Sequence, residues 1–152
     1  MQRFRGDPHA DFRADFHWPL RVYYEDTDAG GIVYYANFLK FFERCRTEWL
    51  RELGFDQARL AAQERLQFVV TELAVRYLKP ARLDDRLDVS ARLARVGAAS
   101  LHFEQQLVRD GELLAAGQVK VACVSAETLA PAAMPASLRR ALARPVAVPE
   151  SQ

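Results

Sequence analysis

The residues best suited to carry out chemistry form one acidic block, Glu25-Asp26-Thr27-Asp28-Ala29-Gly30-Gly31, which directly precedes an apolar helical pattern. An acidic side chain just ahead of a helix lies beside free backbone N–H groups and the positive end of the helix dipole. Such a place can hold the negative charge that develops on a carbonyl oxygen under attack. Asp28 could act there as a nucleophile or as a general base for water. Gly30 and Gly31 would let a ligand come close to the backbone.

The same residues also have ordinary structural interpretations. An Asp ahead of a helix is most often a cap, and we favour that role for Asp26 while keeping it open for Asp28. For the side chains of Tyr34 and Tyr35, the sequence favours neither core packing nor substrate contact over the other. The three histidines share no motif, and the sequence holds no metal-ligand spacing, phosphate-binding glycine loop or Ser/His/Asp arrangement. The acidic block is therefore the best candidate for chemistry in this sequence.

One long helix must position this block. Its apolar residues follow i, i+4, i+7, i+11 spacing, at Phe38, Phe42, Cys45 and Trp49. The first two turns are apolar on most sides, which predicts a helix surrounded by other elements instead of one lying on a surface. The helix is expected to begin near residues 35–37 and to end at Gly54, a C-cap glycine.

Alternation of apolar and polar residues predicts one strand before the helix and four after it. The five expected strands cover residues 17–25, 68–78, 86–93, 101–107 and 113–124. An Asp110-Gly111 pair predicts a tight hairpin between the last two. Residues 56–66 could form a short helix or an irregular connection, and residues 137–144 are expected to form a short terminal helix.

Each well-patterned strand has one apolar and one polar face, so one side of an antiparallel sheet should be buried. Only the long helix is available to cover that side, which requires the sheet to curl around it. Small residues at Ala91, Ala115 and Gly117 would let the helix approach closely. We therefore predict a single α+β domain over residues 17–144, with a mobile extension over 1–16 and a loose tail over 145–152. A ferredoxin-like fold fits worse, because it needs a second long helix.

Bulk properties restrict the class of protein. The chain has 152 residues, of which 50% are hydrophobic, and a net charge of +1. A charge this small gives no case for a nucleic-acid partner. No apolar run is long enough to span a bilayer, and the N-terminal residues lack the apolar core of a signal peptide. With Cys45 and Cys123 expected as small buried hydrophobic residues, these features favour a cytoplasmic protein.

The acidic block and its surroundings resemble a known family. The ordered sequence from Glu25 to Phe38, with a strand ahead of it and a helix and meander behind, is similar to the hotdog-fold thioesterases. It resembles in particular the Tol–Pal-associated acyl-CoA thioesterases, and it is also similar to 4-hydroxybenzoyl-CoA thioesterase. The resemblance covers roughly residues 17–140. Further matching stretches are residues 41–44, 46–51 and 77–85.

The resemblance implies hydrolysis of an acyl-CoA thioester without a metal or cofactor, coenzyme A being part of the substrate. It also implies a homodimer or homotetramer with active sites between subunits. The family's catalytic carboxylate falls on Asp28, and the backbone N–H that polarises the thioester carbonyl falls on Tyr35. We assign substrate contacts to Gly31, Ile32 and Tyr34. Tol–Pal-associated members commonly carry His at the Tyr35 position, whereas the 4-hydroxybenzoyl type carries Tyr.

Other functions stay open at this stage, because a fold does not fix a function. The chain could be a non-catalytic hotdog module that binds acyl chains or acyl carrier protein, or that scaffolds the Tol–Pal envelope complex. A hotdog hydratase is disfavoured because the chain lacks a His/Asp pair at the spacing those enzymes use. For the favoured enzyme, the acyl group is expected to be small or medium and either aliphatic or aromatic.

Overall fold

A computed structural model describes residues 12–143 of the chain. Its elements in chain order are β1 (Phe16–Arg21), α1 (Asn37–Glu52), α2 (Gln57–Glu64), β2 (Leu66–Tyr77), β3 (Arg86–Val96), β4 (Ser100–Arg109), β5 (Glu112–Ser125) and α3 (Ala136–Ala143). The expected tail over residues 145–152, and most of the expected extension over 1–16, lie outside the described residues.

The five strands form one antiparallel sheet in the order β1-β3-β4-β5-β2. The central strands β3, β4 and β5 follow one another along the chain, and β2 and β1 form the two edges. The turn between β4 and β5 lies at Asp110-Gly111, where both residues have positive φ (48° and 78°), as the Asp-Gly sequence predicts. This order, with antiparallel strands, brings three parts of the chain to the same end of the sheet: the end of β2, the start of β3 and the chain that leaves β1.

Helix α1 covers the inner face of the sheet. Phe41, Phe42 and Cys45 are completely buried there. The Phe42 ring lies close to Gly117 on β5, where an added Cβ would come within 2.9 Å of it. Ala91 on β3 is also completely buried. The α+β arrangement, one long helix against a five-stranded antiparallel sheet, is therefore confirmed, and so is the close approach at Gly117.

A buried amide fastens the helix to the sheet. Gln105, on the inner face of β4, is only 1% exposed. Its Nε2 donates a hydrogen bond to the Phe42 carbonyl oxygen at 3.0 Å, and its Oε1 accepts one from Arg46 Nη1 at 2.8 Å. A buried amide with both ends paired avoids the cost of an unsatisfied polar group. The alternating pattern of the strand predicts only apolar residues on this face, so the buried Gln105 was not expected.

Several element boundaries differ from those expected. Strand β1 ends at Arg21 instead of residue 25, because the chain turns into a 3₁₀ helix at Tyr24–Asp26. The undecided connection forms α2, whose N-cap Asp56 accepts a hydrogen bond from Ala58 N–H at 2.8 Å. Helix α1 ends next to Gly54, which has a φ of 92°, as predicted.

Candidate active site

The acidic loop between β1 and α1 is tied to the loop that precedes β3. Val33 N–H donates to the Ala81 carbonyl at 2.8 Å, and Leu83 N–H donates to the Gly31 carbonyl at 3.2 Å. At the other end of the loop, Asp84 N–H donates to the Val22 carbonyl at 3.0 Å. These backbone bonds hold the acidic loop against the loop that precedes β3 and so restrict the positions of its side chains.

Asp28 lies in a tight turn of this loop. Its Oδ1 accepts hydrogen bonds from Gly30 N–H at 2.8 Å and from Ile32 N–H at 3.3 Å. Gly31 has a φ of 76°, a conformation that favours glycine and lets the chain reverse here. Within the described part of the chain, Oδ2 of Asp28 has no hydrogen-bond partner. One carboxylate oxygen therefore fixes the side chain while the other stays available.

Asp28 does not cap the helix. The N-cap position of α1 is Ala36, and no side chain caps the helix there. The carboxylate of Asp28 instead closes the turn that Gly31 permits. The ordinary explanation for an Asp ahead of a helix therefore does not hold for this residue.

Asp26 has the structural role expected of it. The residue is buried, with 7% exposure, and its Oδ2 accepts a hydrogen bond from Tyr23 N–H at 2.8 Å. Its carbonyl oxygen accepts from Asn37 Nδ2 at 2.7 Å and from Tyr34 N–H at 3.3 Å. Asp26 thus closes the 3₁₀ turn and ties it to the first residue of α1.

Among residues 12–143, two backbone donors at the start of α1 have no acceptor. The N–H groups of Asn37, Phe38 and Leu39 are used by tight i→i−3 bonds to the carbonyls of residues 34–36, at 2.8, 3.2 and 3.1 Å. For Tyr35 N–H and Ala36 N–H, the described residues provide no acceptor. Free N–H groups at the positive end of a helix dipole are suited to an oxyanion. The Tyr35 N–H, to which the family resemblance gives that role, therefore has no competing acceptor among the described residues.

A groove of about 420 Å³ joins these features. Its walls are formed by Asp28, Ile32, Val33, Tyr34, Tyr35, Phe38, Tyr77, Leu78, Lys79 and Pro80. Four of the five expected site residues thus line one space. The fifth, Gly31, contributes the backbone geometry of the Asp28 turn and is not part of the wall.

A second hollow, of about 440 Å³, lies on the strands at some distance from the acidic loop. It is lined by charged side chains of both signs, including Glu72, Glu104 and Lys120, together with His102. It includes no residue of the acidic loop or of the start of α1. The slightly smaller groove is the better candidate, because it combines a carboxylate with free backbone donors.

Aromatic rings form much of the groove. Tyr34 and Tyr35 are 51% and 61% exposed, so core packing is excluded for both side chains. Their ring centroids lie 4.9 Å apart, and the Tyr35 ring meets Tyr77 edge-on at 5.8 Å. The Tyr77 ring also lies 5.5 Å from Phe38. An acyl group in the groove would contact mainly aromatic and aliphatic surface.

Two of the tyrosines around the groove, Tyr34 and Tyr77, are neutral at pH 7. The adjacent Tyr35 side chain raises the pKa of Tyr34 above its ordinary value of 10. Burial of the hydroxyl, with a smaller contribution from Tyr35, also raises the pKa of Tyr77. Neutral phenols do not repel an anion that forms at the helix start.

Sequence reasoning missed the wall that β2 supplies. Tyr77 is the last residue of β2, and residues 78–80 follow it. All four lie 42 residues or more from Tyr35, and only the strand order brings them to the helix start. Lys79 forms an ion pair with Glu112, which also bonds Arg109 Nη2 at 3.0 Å. The run Tyr77-Leu78-Lys79-Pro80 at a predicted strand end was the available signal.

Neither a metal site nor a membrane-spanning helix is found within residues 12–143. No three His, Cys, Asp or Glu side chains in this range come together as a metal site. No helix in the same range has the length and hydropathy needed to cross a membrane.

Comparisons with known proteins show the family to which the chain belongs. Residues 22–142 match the model of the thioesterase-like superfamily. The chain is 48% identical to the acyl-CoA thioesterase YbgC of Haemophilus influenzae over 126 residues, which is 83% of this chain and 93% of that one. It is 47% identical to the acyl-CoA thioester hydrolase YbgC of Escherichia coli, with coverage of 81% and 92%.

The structure of a probable thioesterase from Bartonella henselae superimposes with a TM-score of 0.75 at 35% identity. The match covers 78% of this chain and 98% of that one. The chain therefore belongs to the thioesterase-like superfamily and, within it, to the hotdog-fold acyl-CoA thioester hydrolases.

Proposed function

We propose that the chain hydrolyses the thioester of a small or medium acyl-CoA, aliphatic or aromatic, to the free acid and coenzyme A. One observation carries the proposal. The groove is lined both by Asp28, whose Oδ2 has no hydrogen-bond partner among the described residues, and by Tyr35, whose N–H has no acceptor among them. Thioester hydrolysis requires an attacking group and a place for negative charge, and these two features supply them.

In the proposed reaction the thioester carbonyl oxygen accepts a hydrogen bond from Tyr35 N–H. Asp28 either removes a proton from the attacking water or attacks the carbonyl carbon itself. In both cases the carbonyl oxygen becomes an anion next to the positive end of α1, where it is stabilised. Collapse of the tetrahedral species expels the thiolate of coenzyme A. A thiolate is a good leaving group, so no strong general acid is required.

The two roles of Asp28 differ in where the oxygen of water ends up. If Asp28 is the nucleophile, a mixed anhydride forms and water then cleaves it. A single turnover in H₂¹⁸O would then leave label in the Asp28 carboxylate whenever water attacks at the aspartyl carbon. A general base leaves the label in the released acid alone. Mass spectrometry of the peptide that contains Asp28 detects this label, and its presence assigns the nucleophilic route.

Substrate contacts follow from the groove. Ile32 and Tyr34 lie on its wall and are assigned to the acyl group or the adjoining part of coenzyme A. Gly31 acts through the backbone turn that presents Asp28. Lys79 is the basic side chain on the wall, but it is already paired with Glu112, so we assign no phosphate contact to it.

We also propose that the working form is a homodimer or homotetramer. Strand β2 is an edge of the sheet and carries exposed apolar side chains at Val70 and Tyr77 (49% and 42% exposed). An exposed apolar edge strand favours pairing with a second copy. Binding to acyl carrier protein, scaffolding of the Tol–Pal complex and a cytoplasmic location stay predictions.

The proposal is tested by free-thiol release from a panel of aliphatic and aromatic acyl-CoAs. We expect wild type to turn over at least one member, and Asp28→Asn to lose about two or more decades of rate, the effect of removing an essential acid–base group. Circular dichroism checks that both proteins are folded. If folded wild type releases no thiol from any member, the chain is not a hydrolase of these substrates and the binding-module alternative takes its place.

A further inference from the structure

Tyr77 contacts the residue that carries the free backbone donor. Its hydroxyl donates a hydrogen bond to the Tyr35 carbonyl oxygen at 3.1 Å, across 42 positions of sequence. We propose that Tyr77 is a positioning residue: it holds the backbone at Tyr35 in the conformation that leaves the Tyr35 N–H available to the substrate carbonyl. The inference depends on the proposed thioester hydrolysis and adds a residue to that site.

The start of α1 needs support from outside the helix. Ala36 occupies the N-cap position, and no side chain of the described residues caps the helix there. Tyr35 itself precedes the helix, and within the helix its carbonyl is held only by Phe38 N–H at 3.2 Å. An uncapped first turn frays readily. The hydroxyl of Tyr77 supplies a second donor to the same carbonyl.

The support comes from a rigid part of the fold. Tyr77 is the last residue of β2 and pairs with Ala115 on β5, which is completely buried. The ring of Tyr77 contacts the rings of Tyr35 and Phe38. Tyr35 lies before the helix start and Phe38 lies after it. A side chain held by the sheet and touching both residues limits how far the Tyr35 backbone can move. The raised pKa of Tyr77 keeps its hydroxyl protonated as a donor near neutral pH.

A role as a plain wall of the groove is the competing explanation. Tyr77→Phe separates the two, because it removes the hydrogen bond and keeps the ring that lines the groove. A wall needs only the ring, so the Phe variant would bind and turn over substrate as wild type does. A positioning role needs the hydroxyl, and its loss should affect the transition state more than the bound substrate.

We would measure kcat and KM separately for wild type, Tyr77→Phe and the matched control Tyr24→Phe. Tyr24 is 81% exposed and lies outside the groove, so its variant should behave as wild type. For Tyr77→Phe we expect kcat to fall about three- to tenfold, the rate equivalent of one ordinary hydrogen bond, with KM within about twofold. An unchanged kcat, or a loss confined to KM, overturns the positioning role.

A second measurement does not depend on turnover. In ¹⁵N-labelled protein, Tyr77→Phe should shift the amide resonances of Tyr35 and Ala36, and Tyr24→Phe should leave them in place. Unchanged Tyr35 and Ala36 resonances in Tyr77→Phe would overturn the inference even if the rate had fallen. An active wild type with an equally active Tyr77→Phe rejects this inference alone, whereas an inactive wild type rejects it together with the proposed function.

Discussion

Replacing Gly117 with Ala tests how closely the central helix packs on the sheet. The new Cβ would lie 2.9 Å from Cε2 of Phe42, with two further ring atoms at 3.4 and 3.5 Å. Such a contact cannot form without movement. Phe42 is completely buried, and close packing in a core leaves its ring little room to move, so we expect the helix or the strand to shift.

Two opposing effects set the expected free energy. Glycine inside a strand is less favourable than Ala by roughly 0.5–1 kcal/mol, so the substitution would stabilise an open site. Overpacking of a well-packed core costs about 1–3 kcal/mol. The steric cost is the larger, and we expect a net loss of about 0.5–2 kcal/mol. For a chain of this size that corresponds to a Tm lower by about 2–6 °C.

Urea unfolding followed by circular dichroism measures this loss, and an unchanged slope with denaturant shows that only stability has changed. Phe42→Leu provides the control. It creates a small cavity by itself, but it removes the ring atoms that the new Cβ at position 117 would meet. The double variant should therefore be more stable than the sum of the single effects by about 1 kcal/mol. If Gly117→Ala is as stable as wild type or more so, the inferred helix-to-sheet distance is incorrect.

Individual side chains elsewhere give three further predictions. Gln105→Leu should lower the free energy of unfolding by about 1–3 kcal/mol in urea titrations, because it removes the hydrogen bonds that Gln105 makes to the partly buried Arg46 guanidinium and to the Phe42 carbonyl; no change would mean that the amide is dispensable. Burial raises the pKa of Cys45 to about 12, so iodoacetamide at about pH 8 should label this thiol only after urea unfolding, and labelling of the folded protein would contradict its burial. Hydrogen bonds from Lys79 and Arg109 hold the pKa of Glu112 below its usual range, so the stabilisation is present above the unfolded-state pKa of about 4.3 and is lost as pH falls through the lower, folded-state pKa. Below about pH 4 the Tm of wild type should therefore fall more steeply than that of Glu112→Gln, and parallel curves would contradict the assignment.

The sequence predicted the local half of the candidate site. Asp28 and Tyr35 lie seven positions apart, so a turn followed by a helix start is enough to bring them into one groove. The long helix, the Asp-Gly hairpin and the close approach at Gly117 also follow from periodicity and residue size. Each of these features depends on contacts near in sequence or on one dominant hydrophobic pattern.

The remaining features depend on information that a local pattern does not contain. Tyr77 reaches Tyr35 only because β2 is an edge strand beside the helix start, which requires the strand order. Alternation along the strand places Gln105 on the buried face. Because a polar side chain is not expected in the core, its burial can be explained only when its hydrogen-bond partners are known. Strand β1 was predicted too long because the Asp26 carboxylate bonds the backbone locally and turns the chain out of the sheet.

Two aspartates only two positions apart have different roles in the proposed site, and a matched pair of variants tests this most directly. Asp28→Asn and Asp26→Asn would be compared by thiol release from a turned-over acyl-CoA and by thermal unfolding. We predict that Asp28→Asn loses at least about a hundredfold in kcat with little change in Tm, because its side chain is exposed and its turn bonds can persist. Asp26→Asn should lower Tm and keep kcat within a few-fold wherever it is folded. An active Asp28→Asn together with a folded but inactive Asp26→Asn would contradict the proposed site.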